Sequence, residues 1–392
     1  MRSSRSIVVL AALLLVSAHT MWAQNARIWD LGAYYPGGTW AELHGINDSG
    51  VAVGMGDVAG DQRMIGVPLF GRNEGHWFES GVSSGVVDEL MPAISDTGVI
   101  AGTITGDNGN PEAYAWMPNH VGVHLGTLPG DFKSYAYAIS RNGSFIVGQS
   151  MRQLPEAPYV IATAVVWTAR VDRTDGKTAI AWEIHALPKG GLDTVGAVFP
   201  GVLLRLWGGW GVNDSGQIAG DAYQYDPDSG SWWEIAVVWN PMGHGRGWQV
   251  QRLPMTADPM AADFPYTEAL AINNRGEIVG DVWGLEAAPA LWKTDRPAGK
   301  AWTLTVLPTL NATPMWDVAW GINDRGDIVG SCYDSGWVQQ ATRWDANAPL
   351  SPVQTLGFPG EWSAAYSVNN RGIAGGGYGI GDVERAYAVQ FR

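Results

Sequence analysis

The stretch Ala319-Trp-Gly-Ile-Asn-Asp-Arg-Gly-Asp-Ile-Val-Gly330 constrains this chain more than any other, because it recurs in imperfect form until there are seven copies. Small residues (Ala319, Gly321, Asn323) alternate with bulky ones (Trp320, Ile322), the period of two of a β-strand. Asn and Asp bond back to nearby amides in turns, and Gly326 supplies the left-handed conformation that closes a short hairpin. Ile328 and Val329 resume the pleat, and Gly330 leaves space for a neighbouring backbone. One hairpin cannot bury its own apolar face. The copies must pack on one another.

Their turn glycines are Gly50, Gly98, Gly143, Gly216, Gly276, Gly326 and Gly372. Two further strands follow each hairpin. The third reads Ala-x-x-Trp at Ala113–Trp116, Ala164–Trp167, Ala236–Trp239 and Ala341–Trp344. The fourth ends in Leu-Pro or Leu-Gly, as at Pro129, Pro188, Pro254, Pro308 and Gly357; in the first unit it is blurred, around His76 to Ser80. Four short strands per unit at this spacing predict propeller blades. The seventh unit stops after its third strand, and a matching fourth, Arg27-Ile-Trp-Asp-Leu-Gly32, precedes the first hairpin. The expectation is an all-β, seven-bladed β-propeller of four-stranded antiparallel blades, spanning 26–392. The N-terminal strand completes the last blade and leaves no open edge.

Composition agrees. The chain holds 52 Gly, 22 Pro and 21 Trp, with 46% hydrophobic and 16% charged residues, which suits many short strands joined by turns. A net charge of −14 argues against nucleic acid or anionic membranes as partners. Arg2 and Arg5 before the apolar run Ile7–Val16, with small-residue cleavage options after Ala18 or Ala23, read as a signal peptide over 1–23. That implies a secreted protein, extracellular or periplasmic, with no membrane insertion once processed; a monomer is expected. Cys332 is the only cysteine, so no intramolecular disulfide forms.

Leu-Gly-Thr-Leu-Pro-Gly130, Tyr-Ala-Tyr-Ala-Ile-Ser140, Ile-Val-Gly148 and Glu-Ala-Tyr-Ala-Trp116 together resemble the HAF-type extracellular repeat of secreted bacterial proteins. The resemblance runs from about Arg27 to Arg392. Departures are Ser95 and Ser140 in place of the hairpin Asn, and a seventh unit one residue short between Gly372 and Gly375. The family implies secretion and a propeller, and brings no catalytic residues with it.

Function has to be sought where the copies differ. The hairpin turns share one face with the loops after the third strands. The opposite face carries the long, variable loops, where binding residues gather. Seven residues before the hairpin Asn or Ser stand Trp40, Asp88, Lys133, Leu206, Tyr266, Trp316 and Trp362. Exposed there, the aromatics would be platforms for sugar rings; the competing reading is that they fill the wedges between blades. A second set, three before the Asn or Ser (His44, Pro92, Tyr137, Trp210, Leu270, Trp320, Tyr366), is expected to be inter-blade core. The candidate ligand site on the long-loop face is Trp40, Glu42, Lys133, Tyr135, Trp207, Tyr266, Glu268, Trp316, Asp317 and Trp362. Its expected partner is an extracellular polysaccharide or another polymer. Carboxylates at the mouth leave glycoside hydrolysis open. His44 or Tyr135 as base, with Lys133 neutralising a uronate, leaves a lyase open. A flat apolar patch would mean a protein-interaction scaffold instead. No catalytic residue can be assigned. No cofactor is expected, although the acidic loops Asp107–Glu112 and Asp226–Gly230 have the oxygen-rich pattern of a calcium site.

Overall fold

The computed structural model describes residues 27–33, 38–58, 61–83, 91–118, 121–153, 160–174, 177–189, 196–197, 209–226, 231–243, 245–255, 266–283, 286–294, 301–358 and 360–391. The signal segment, Asp88, Glu89, Leu206, Trp207 and most of the Asp226–Gly230 loop lie outside them. The chain forms seven sheets of four consecutively paired antiparallel strands, one of which takes a short fifth strand. The inner strands of blades 1 to 7 are Ala41–Ile46, Ala93–Ile94, Lys133–Ile139, Gly209–Val212, Thr267–Ile272, Val318–Ile322 and Trp362–Val368. Arg27–Gly32 pairs with Val383–Gln390 as the outer strand of blade 7, so the ends of the chain close the ring. The outer strand of blade 1 is Phe78–Ser83, a little later than expected.

The repeated motifs are inter-blade fasteners. The third-strand indoles Trp239, Trp292 and Trp344 are buried and donate Nε1–H to the carbonyls of Pro188, Pro254 and Pro308 in the preceding blade (3.0, 2.8 and 2.7 Å). In these three seams the Leu-Pro carbonyl and the third-strand indole complete each other. The hairpin Asn does two jobs. The Oδ1 of Asn323 accepts the amides of Arg325 and Asp327, while its Nδ2 donates to the Asn369 carbonyl in the next blade (2.7 Å). Asn47, Asn213, Asn273 and Asn369 make the same bond to the blade that follows. One residue further on, or two in blade 3, turn amides donate to Asp or Asn side chains of the neighbouring blade at 2.7–2.8 Å, a belt around the turn face.

A single irregularity, repeated, decides what faces the axis. In six blades the ladder between the inner and second strands skips one inner residue: His44, Tyr137, Trp210, Leu270, Trp320 and Tyr366. Each is a β-bulge, which inserts an unpaired residue and re-aims its side chain. At this crossing the second strand needs a glycine: a Cβ on Gly330 would lie 2.0 Å from the Val318 carbonyl oxygen, and one on Gly54 1.8 Å from that of Glu42. Small residues beside the bulge let the inner strands converge; a Cβ on Gly321 would meet the Tyr366 carbonyl at 3.0 Å.

Candidate functional site

The bulge residues line the central channel, which corrects the expectation that they form inter-blade core. His44, Pro92, Tyr137, Trp210, Leu270, Trp320 and Tyr366, with the Ile and Val residues two positions on, surround a cavity of about 220 Å³ on the axis. Strict alternation would have aimed these side chains as it aims their neighbours; the extra residue shifts the phase. Their polar edges are tied back into the second strands. Trp210 donates to Asp221 Oδ2 (2.6 Å), Trp320 to Ser331 Oγ (3.4 Å), and Gln149 to the Tyr137 hydroxyl (2.5 Å).

Toward the turn face the channel meets Arg141, which stands where most copies carry Asp or Asn. Its guanidinium donates to Asp48 Oδ1 (3.2 Å) and to the Val368 carbonyl (3.3 Å) and lies 3.8 Å from Asp324. One cation spans the ring of turn carboxylates at that end of the axis.

Blade 7 has Gly377 where blades 4 and 5 have Asp221 and Asp281, and Glu42 of blade 1 occupies the space; a Cβ on Gly377 would meet its Cγ at 2.9 Å. Glu42 accepts from the Tyr366 hydroxyl (3.0 Å) and pairs with His44 Nε2 (3.3 Å), while His44 and Tyr366 stack with centroids 4.9 Å apart. Burial pushes Glu42 up, but hydrogen bonds from His44, Glu384 and Tyr366 outweigh it and hold the carboxyl at about 2. Glu384, desolvated and bonded to Glu42, is raised to about 9 and keeps the proton. Glu42, His44, Tyr366 and Glu384 are the polar pole of an otherwise aromatic and aliphatic channel. Between blades 4 and 5, burial and the charges of Glu234 and Glu268 raise Asp221 and Asp281 well above the usual carboxylate range.

The ten expected site residues do not form one platform. Trp40 packs against the cluster of Met55, Met64 and Ile104 between blades 1 and 2 and fills a wedge, while Trp362, half-buried, lies over Gly379, its cross-strand partner in blade 7. Tyr135 packs against the same cluster and stacks on Tyr137 (6.1 Å, 2° between planes). Tyr266 and Glu268 are half-buried, as is Lys133. Asp317, expected to meet a ligand, is fully buried. It accepts the amides of Tyr333 (2.7 Å) and Met315 (3.3 Å) and so clamps the loop that precedes blade 6.

Trp316 is the one that stands out, 61% exposed and in the left-handed backbone region (φ 72°). Its ring centroid is 6.3 Å from that of Trp283, at the end of the second strand of blade 5. A companion escaped the sequence reading. Trp337, 75% exposed, also has positive φ (63°) and sits in the hairpin between the second and third strands of blade 6. Asp334 builds that turn by accepting the amides of Gly336 and Val338. Among the described residues these two tryptophans are the only non-glycine residues with positive φ. Both belong to loops on the long-loop face, and Tyr333 joins those loops: its amide donates to Asp317 and its carbonyl accepts from Asn311. The missed signal was a Trp directly after Gly336 in an Asp-initiated turn.

Among the described residues no group of three or more His, Cys, Asp or Glu is placed to hold a metal ion. In the Asp107–Glu112 loop, Gly106 N donates to Asn110 O, Asn110 N donates to Asn108 Oδ1, and Glu112 pairs with His124 at 3.0 Å.

Fold and channel define a seven-bladed β-propeller. No family model and no curated protein matches the chain. Among solved structures it is similar to an acylaminoacyl peptidase of Pyrococcus horikoshii (11% identity, TM-score 0.48, covering 91% of this chain and 53% of that one). It is also similar to a Trypanosoma rangeli sialidase in complex with the inhibitor DANA (14%, TM-score 0.43, 78% and 55%). A third is an Aleuria aurantia lectin in complex with α-methyl-L-fucoside (16%, TM-score 0.37, 82% and 97%). The chain spans about half the length of the peptidase and the sialidase. At these identities the likeness concerns the fold.

Proposed function

We propose that this is a secreted, glycan-binding propeller of the HAF-repeat type, whose ligand lies across the long-loop face against Trp316 and Trp337. The observation that carries the reading is two exposed indoles held on left-handed backbone. That conformation costs an L-residue roughly 1–2 kcal/mol, and strain of this kind persists where function requires it. Neither side chain offsets the cost by burial. An indole face matches the C–H face of a pyranose ring while the sugar hydroxyls stay in water. The test is retention on a panel of soluble polysaccharides immobilised in native gels, with Trp316→Ala and Trp337→Ala beside wild type. Each substitution should weaken binding roughly 5–30-fold, as a truncated aromatic anchor does. No retention of wild type on any polymer, or unchanged retention in both variants, overturns it.

Polysaccharide cleavage is a second reading, supported by the Glu42–His44–Tyr366 cluster. Glu42 and Glu384 are hydrogen-bonded to each other, closer than the roughly 5–9.5 Å between the carboxyl groups of glycosidases. Proton abstraction by an imidazole that Glu42 orients is the better chemical fit, and it would be followed as unsaturated product at 235 nm. A digest without that absorbance removes this reading.

A further inference from the structure

Lys133 opens the inner strand of blade 3 on the long-loop face, half-buried, with no carboxylate within ion-pair distance among the described residues. Its ammonium lies over the rings of Phe132 (5.4 Å to the centroid) and Tyr135 (5.6 Å). The carboxylate nearest in sequence, Asp131, is spoken for: Arg152 Nε donates to it at 3.1 Å and Ser150 Oγ at 2.7 Å. Below Lys133 an aromatic column descends toward the axis, Tyr135 stacked on Tyr137 and Tyr137 against Trp210 (4.5 Å). A cation drawn out of water and left without a counter-charge lowers stability, and burial accordingly moves Lys133 below the usual lysine value. The chain's net charge of −14 makes this the more notable, since carboxylates outnumber cations.

Resting on the glycan reading above, we infer that Lys133, with Phe132 and Tyr135, is the subsite that selects a carboxylated sugar. The pyranose ring lies on the aromatic bed and its carboxylate pairs with Nζ. A lysine ammonium is a point charge with rotatable donors, which suits a single anionic group such as a sugar carboxylate. The protein's overall negative charge does not forbid this, because charges beyond about 8 Å are screened at physiological salt.

The probes are polygalacturonate and its fully methyl-esterified form, identical in backbone and differing in the carboxylate. Wild type should bind the acid polymer at least tenfold more tightly, and Lys133→Met should remove that preference. Lys133→Arg, which restores the charge, should recover the preference and shows that loss in the methionine variant is not misfolding. Equal affinity of wild type for both polymers, or a preference that survives Lys133→Met, overturns the inference. Wild type retained only on neutral polymers also overturns it, while leaving the glycan reading intact. Failure of the glycan reading shows separately, as no retention on any polymer or as indifference to Trp316→Ala and Trp337→Ala.

Discussion

Replacing Asn323 by alanine and, separately, by serine separates the two jobs of the hairpin asparagine. Asn323 is fully buried and its amide makes four bonds. Oδ1 accepts from Arg325 N (3.0 Å) and Asp327 N (2.9 Å); Nδ2 donates to Asn369 O (2.7 Å) and Asp327 Oδ2 (2.8 Å). Alanine leaves the Asp327 amide unpaired in the interior, at about 1–3 kcal/mol, and takes from the Asn369 carbonyl one of its two donors, about 1 kcal/mol, since Gly372 N still reaches it at 3.1 Å. The expected loss is about 2–4 kcal/mol. Serine already occupies this position in blades 2 and 3. Ser95 Oγ accepts Val99 N at 3.0 Å and Ser140 Oγ accepts Phe145 N at 3.1 Å, so serine keeps the turn bonds and gives up the seam. Asn323→Ser should therefore cost only about 1–2 kcal/mol, the net value of the bond to Asn369. Urea unfolding followed by tryptophan fluorescence measures both. Equal losses in the two variants, or an alanine variant within about 1 kcal/mol of wild type, would refute the division of labour.

Two further outcomes follow from buried titrating groups. Glu384 has a folded value near 9 against an ordinary value of 4.5; between those pH values the native state holds a proton that the unfolded chain has lost, so stability falls as pH rises through that window. Asp221 and Asp281 act in the same direction, whereas Glu42, depressed to about 2, contributes above pH 4.5 and stops doing so as pH falls toward 2. Urea midpoints should thus be higher at pH 5 than at pH 8, and Glu384→Gln, a permanently neutral donor, should make the decline shallower; an unchanged slope counts against the shared proton. Cys332 is fully buried, with its thiol pushed up to about 12 by burial and by the nearby Asp317 charge. A thiol-specific chromogenic reagent should find no reactive cysteine in the folded protein and one per chain in urea, and rapid labelling of the native state would contradict the placement.

Much of the architecture was legible because it depends on local rules. Gly326 and its six counterparts all adopt positive φ, as turn chemistry requires, and the N-terminal strand Arg27–Gly32 lies where the incomplete seventh unit called for it. Trp40 and Trp362 were harder. A tryptophan near the mouth of a strand has the same sequence signature whether it fills a wedge or faces solvent, and only the neighbouring blade settles which. Trp337 was overlooked because its loop reads as an ordinary turn; its backbone strain is a property of the folded chain.

By itself, then, the amino-acid sequence determined the number of blades, the hairpin in each and the closure of the ring. These follow from periodicity and turn chemistry, which act over a few residues and repeat. What faces the channel was decided by tertiary structure alone. A bulge is a relation between two strands, and one unpaired residue at His44, Tyr137, Trp210, Leu270, Trp320 and Tyr366 turns the expected core ring into the wall of the cavity. Burial decided the rest: it made Asp317 a clamp, lodged Glu42 over Gly377, and set Lys133 over the rings of Phe132 and Tyr135.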